Sequence, residues 1–109
     1  MLRDHQCKGK LKDGTDWLMN NALENFDHAG AASHDYLNLF GLTCFAYMWA
    51  KMAKISAAKI AAGEADPFYA TKLQTGRYFL DRWVPEADMH LAKVQAGADS
   101  MMALDAEAF

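Results

Sequence analysis

Residues 35–52, DYLNLFGLTCFAYMWAKM, constrain the fold more than any other stretch of this chain. No charged side chain falls between Tyr36 and Ala50. On a helix advancing 100° per residue, Tyr36, Phe40 and Tyr47 fall together. Leu37 and Met48 lie about a quarter-turn on, Phe45 and Met52 lie opposite, and Leu42 and Trp49 fill the remaining side. A helix that is apolar all round needs partners all round. It is therefore expected to be the central helix of something larger, because 109 residues is barely enough chain to surround it.

The same stretch is too short for a membrane span. A bilayer core requires about 20 consecutive apolar residues. Here Asn38 and Thr43 interrupt the run, and Lys51 and Lys54 close it. The N-terminal MLRDHQCKGKLKDGTDW has no apolar signal core, so no secretion signal is expected. The formal net charge is −3, with Lys and Arg scattered. That argues against a nucleic-acid surface, which would show a basic stripe. Two cysteines, Cys7 and Cys44, do not make a disulfide framework. Cys44, inside the apolar run, is expected to behave as a small hydrophobe. The expected compartment is a reducing cytoplasm. Strand formers are scarce beside alanine and methionine, so no sheet is expected.

Three long helices are readable. The first covers roughly residues 8–23, with Leu11, Trp17, Leu18 and Ala22 as its inward stripe. Gly14 weakens its middle by about 1 kcal/mol relative to alanine. Asn25 can cap the second helix, with Asp27 in its first turn. That helix runs to about Ala62, and Gly63 supplies the stop. Asp66 and Pro67 mark the start of the third, as N-cap and first helical residue. Tyr69, Leu73, Gly76, Leu80, Trp83, Ala87, Leu91 and Val94 then form a helix-period seam. Pro85 interrupts it, at a cost of about 3 kcal/mol for an internal proline. Because the seam keeps its phase, the spacing predicts a kink near residues 81–85 rather than two separate helices. Gly97 ends the helix, and residues 98–104 suggest a short terminal helical turn. Short connections make neighbouring helices antiparallel. The expected fold is all-α: one domain over residues 1–109, an up-and-down bundle of three long helices plus a short C-terminal helix.

Sequence signals for chemistry are few. A di-iron bundle site needs repeated Glu-x-x-His motifs. Glu86 and His90 are four apart and occur once, which reads as a solvated helical pair. His34 and Asp35 are adjacent, and adjacent helical residues do not face each other. The cysteines lack zinc-site spacing. Gly63-Glu64-Ala65-Asp66 has two acids that would repel a phosphate. Gly41 and Gly76 suit close helix–helix approach. Arg77 and Arg82 flank Tyr78, Phe79 and Trp83, as arginine stems over aromatic rings commonly do. Met48, Met52, Met101 and Met102 read as core fillers. No residue of this chain is expected to be catalytic, cofactor-binding or metal-ligating.

An ordered series of short segments carries a resemblance. It runs Asp35-Tyr36-Leu37-Asn38-Leu39-Phe40-Gly41-Leu42, Tyr47-Met48-Trp49-Ala50-Lys51-Met52-Ala53, Asp66-Pro67-Phe68-Tyr69, Lys72-Leu73, Gly76-Arg77-Tyr78-Phe79 and Pro85-Glu86-Ala87, and closes on Gly97-Ala98-Asp99-Ser100-Met101-Met102-Ala103-Leu104. From about Asp13 to Phe109 the chain resembles the extra C-terminal domain of acyl-CoA dehydrogenase-like proteins. The likeness is to the subgroup related to 3-methylmercaptopropionyl-CoA dehydrogenase. One departure is Phe26, where proline is expected between Asn25 and Asp27.

The resemblance implies a parent flavoenzyme that oxidises an acyl-CoA thioester between Cα and Cβ. A carboxylate base takes the α-proton and FAD takes the β-hydride. Both sites belong to the preceding dehydrogenase domains, so FAD is implied for the parent and no cofactor for this chain. The implied partners are those domains and a homo-oligomeric neighbour, for a structural or subunit-contact role. Two alternatives stand beside it: an independent helical interaction domain, and a small metal- or ligand-binding bundle. Self-association of the separate chain is expected, with Leu39, Leu42, Phe45 and Trp49 as the candidate shared surface.

Overall fold

The computed structural model describes residues 2–109, with side chains from Asp4 onward; Met1 lies outside the described residues. Four α-helices follow in order: α1 (Leu2–Asn21), α2 (Asp27–Ala61), α3 (Pro67–Arg82) and α4 (Glu86–Gln95). A 3₁₀ turn at Ala106–Ala108 closes the chain. There is no strand among the described residues. The fold is an all-α bundle, flat and elongated, 67 × 28 × 14 Å. No described helix is long and apolar enough to cross a membrane.

The helix signals act where the chemistry places them. Asn25 Oδ1 accepts the Asp27 N–H at 3.0 Å, which caps α2 although Phe26 stands between them. At the other end Gly63 takes φ +89. Its N–H reaches Ile60 O, and the Glu64 N–H reaches Lys59 O. This paired return satisfies carbonyls that the last turn leaves open, and only glycine takes that φ without strain. Asp66 accepts the Phe68 N–H at 3.0 Å, and Pro67 follows it. The first helix begins six residues earlier than its sequence signals, at Leu2 instead of Lys8, and ends two earlier, at Asn21.

The third helix of the bundle is bent at residues 83–85, which divide it into α3 and α4. Val84 N–H bonds Phe79 O five residues back, and Glu86 N–H bonds Trp83 O three back. Pro85 offers no N–H, so the regular ladder stops there. The seam keeps its phase across the bend: Gly76, Ala87 and Val94 are buried, and Leu73, Leu80 and Leu91 are half-buried. Trp83 leaves the seam and is 47% exposed. Beyond Gly97, which takes φ +73, the expected helical turn reduces to one bond from Met102 N–H to Ala98 O. The short terminal helix forms later, at Ala106–Ala108.

α2 is the central helix. It packs on α1, α3 and α4, and α1 also touches α4. The core is Cys7, Leu39, Leu42, Ala46, Val84 and Ala87, ringed by Leu11, Phe79, Leu80 and Leu91. Glycines set two of the closest approaches. Gly14 lets Leu39 of α2 come within 3.3 Å of where a Cβ would sit, and Gly76 lets Trp49 come within 3.2 Å. Gly41, in contrast, faces open space, so its expected role in helix approach is not met within this chain.

Coverage of α2 is one-sided. Ala32, Asp35, Leu39, Leu42, Thr43 and Ala46 are buried, while Leu37, Phe40, Phe45 and Met48 on the opposite side are exposed. Three neighbours on one side of a long helix cannot wrap it. Leu39 and Leu42, expected on a shared surface, are therefore core residues; Phe45 is exposed and Trp49 half-buried. Cys44 is exposed, contrary to its expected place among the apolar side chains, and the buried cysteine is Cys7. Met48, Met101 and Met102 are exposed rather than core fillers.

Candidate functional site

Asp35 of α2 and His90 of α4 form a buried pair, with His90 Nδ1 2.9 Å from Asp35 Oδ1. Only 6% of His90 is exposed. A carboxylate oxygen can only accept, so Nδ1 carries the proton and Nε2 is the remaining ring nitrogen. The expected solvated Glu86–His90 pair is thus half corrected. Glu86 is exposed, but His90 turns inward to a residue 55 positions away. His34 stays exposed, its ring edge-on to His90 at 6.5 Å, and takes no part in a dyad with Asp35.

His90 borders a surface groove of about 530 Å³. α2 supplies Leu37, Asn38, Gly41, Leu42, Phe45 and Trp49; the bent third helix supplies Phe79, Trp83, Glu86 and His90. Trp49 and Phe79 stack at 26° with centroids 6.2 Å apart, and Phe45 meets Phe79 edge-on. The lining is aromatic and apolar, with three polar side chains at one end. None of its residues carries a hydroxyl or thiol, so the imidazole has no nucleophile to activate there. The pair can orient a hydrogen-bonding group at the groove mouth, and it locks α4 onto α2.

Other polar contacts fasten the bundle. Cys7 Sγ lies 3.4 Å from Thr43 Oγ1, and Thr15 Oγ1 lies 2.8 Å from the Tyr36 hydroxyl. Burial pushes the Cys7 thiol up, while the Thr43 contact opposes that shift. Lys10 of α1 pairs with Asp88 of α4. His28 Nδ1 accepts the Ala98 N–H at 3.0 Å and holds the segment after α4 against α2. The cations over aromatic rings are lysines, Lys8 and Lys51 over Tyr47 and Lys72 over Trp49; Arg77 instead lies 3.9 Å from Asp81.

The described residues do not fit a flavin dinucleotide. A pyrophosphate seeks a helix N-terminus with free N–H groups and no competing anion. Here each helix start carries a carboxylate: Asp4 in α1, Asp27 in α2, Asp66 at the cap of α3, and Glu86 with Asp88 in α4. Among the described residues no group of three or more His, Cys, Asp or Glu could hold a metal ion.

The Asp35–His90 pair is the site that the sequence reading missed. A signal was present. Asp35 lies four residues before Leu39, on the buried side of α2, and His90 lies between Ala87 and Val94 on the seam of the third helix. Two polar residues on buried stripes of facing helices are candidates for each other. The family model described as "Acetyl-CoA dehydrogenase C-terminal like" matches residues 5–105, nearly the whole chain, and the chain belongs to that family. No curated protein matches it.

Proposed function

We propose that this chain, as a member of that family, is the C-terminal helical module of an FAD-dependent acyl-CoA dehydrogenase, and that it serves structure and subunit contact rather than chemistry. The observation that carries the reading is the family match over residues 5–105, joined to a bundle whose central helix is left apolar and open on one side. The parent reaction removes a proton from Cα of an acyl-CoA thioester and a hydride from Cβ. Its base and its FAD site lie in other domains of the parent, in a cytoplasmic enzyme of the 3-methylmercaptopropionyl-CoA dehydrogenase-like subgroup. The groove without a hydroxyl or thiol and the acid-bearing helix starts are consistent with a module that takes no part in the electron transfer.

The test compares two proteins. The reading frame that contains this chain and the domains before it is expected to purify with flavin and to reduce a dye acceptor when given acyl-CoA. The 109-residue chain alone is expected to purify colourless and inactive. Flavin at near-stoichiometric occupancy in the short chain, or none in the longer product, overturns the reading and favours an independent helical interaction domain.

A further inference from the structure

The open side of α2 carries Leu37, Gly41, Cys44, Met48, Lys51 and Ile55, at steps of 4, 3, 4, 3 and 4 residues. That is the spacing of a helix-pairing seam. Leu37 is 71% and Ile55 59% exposed, and Cys44 is exposed between them. Lys51 is the one charged member, and a folded monomer rarely leaves such a row of apolar and small residues in water.

We propose that a second copy of this chain covers this face, packing α2 antiparallel against α2 about a two-fold axis between Gly41 and Cys44. The proposal rests on the subunit-contact reading above and names the contact. Three observations select this occupant. First, the centre of the seam is self-complementary, whereas farther out Lys51 faces His34 and Ile55 faces Gly30. An axis midway between positions 41 and 44 sets Gly41 against Cys44 of the second copy and Leu37 against Met48, so small meets small and large meets large. Gly41 has open space where a Cβ would stand, which lets the two backbones approach closely.

Second, the charges suit the antiparallel alignment. The exposed acid of α2 is Asp27 at its start, and its exposed bases Lys51, Lys54 and Lys59 are all in its later half. Reversal places Lys59 of one copy beside Asp27 of the other. A parallel pair would instead stack Lys51 on Lys51 and Lys59 on Lys59. Third, antiparallel helices set their dipoles in opposition. A closed two-fold contact uses the same patch on both copies, which this seam supplies.

Cys44 reports the contact directly. The proposed axis offsets the two Cys44 residues by about 4.5 Å along the helices, within the reach of a disulfide. The 109-residue chain at micromolar concentration is expected to sediment at twice 12.1 kDa. Copper-phenanthroline is expected to convert it to a disulfide-linked dimer, and Cys44→Ser to abolish that link, because Cys7 is buried. Gly41→Glu and Met48→Glu alter only exposed or open positions. Each is expected to halve the mass without changing the helical circular dichroism. A wild-type mass of 12.1 kDa, or an assembly that survives both substitutions, overturns the proposal and leaves the face to the parent's other domains. Failure of the dehydrogenase reading would be seen separately, as a longer product without flavin.

Discussion

Asp35 and His90, 55 residues apart in sequence, hold α2 and α4 together through one 2.9 Å contact between buried groups. The carboxylate loses water on folding, and the imidazole N–H replaces part of what it loses. Removing one member of such a pair leaves the other buried and uncompensated. His90→Ala is expected to lower the unfolding free energy by about 3 kcal/mol. Asp35→Asn keeps an amide oxygen to accept the N–H and is expected to lose less than Asp35→Ala. Urea unfolding at fixed protein concentration measures all three. Equal losses for Asn and Ala at position 35 would show that packing, not the hydrogen bond, holds the helices.

Sequence pattern made the helices legible because their ends are local. Asn25, Gly63 and the Asp66-Pro67 pair act within a few residues of themselves, and each does so in the fold. The family and the central position of α2 were legible for a related reason, since both reside in the ordered apolar series. Which side of α2 is covered was not. A helix apolar in every direction gives no phase, so Leu39 and Leu42 look the same in sequence as Leu37 and Phe45. The phase is set by partners 20 to 50 residues away, through contacts such as Gly14 on Leu39 and Gly76 on Trp49. The same remoteness hid His90, whose neighbour one helical turn back, Glu86, is not its partner.

Gly76 should prove less replaceable than its place on a helix suggests. Alanine there would gain helix propensity, but its Cβ would stand 3.2 Å from Trp49 Cε3. Valine adds two methyl groups against a ring that is already stacked on Phe79. Gly76→Val is expected to destabilise by about 2 kcal/mol through overpacking. A second change that shortens the ring, Trp49→Leu, should recover part of that loss. A thermal midpoint for Gly76→Val equal to the parent's would mean that α3 moves away from α2 without cost.

Pro85 marks the bend but does not hold it. Val84 and Ala87, on either side, are buried in the core, and their burial fixes the angle between α3 and α4. Pro85 itself is exposed at φ −58, a value that alanine adopts freely. Pro85→Ala should keep the fold and shift stability by less than about 1 kcal/mol, mainly through the unfolded chain. Circular dichroism and urea unfolding check this together. A gain in helical signal with a loss of cooperativity would show α3 and α4 straightening into one helix.

Cys7 gives the chain a stability that depends on alkaline pH. Burial raises its thiol above the ordinary 9.0, and the Thr43 hydroxyl only partly offsets that. The folded chain therefore keeps the Cys7 proton at a pH where the unfolded chain has released it. A raised folded value means that the contribution is complete below pH 9.0 and is lost as pH rises through and beyond it. The urea midpoint should fall above that pH more steeply in the parent chain than in Cys7→Ala, which has no thiol to release. Cys7→Ala itself should cost about 1 kcal/mol at neutral pH, since it removes one buried sulfur from a packed core. The same burial should keep Cys7 from reacting with a thiol reagent until the chain unfolds. Parallel pH slopes in the two proteins, or rapid labelling of Cys7 in the native state, would mean that water reaches the α1–α2 contact at Thr43.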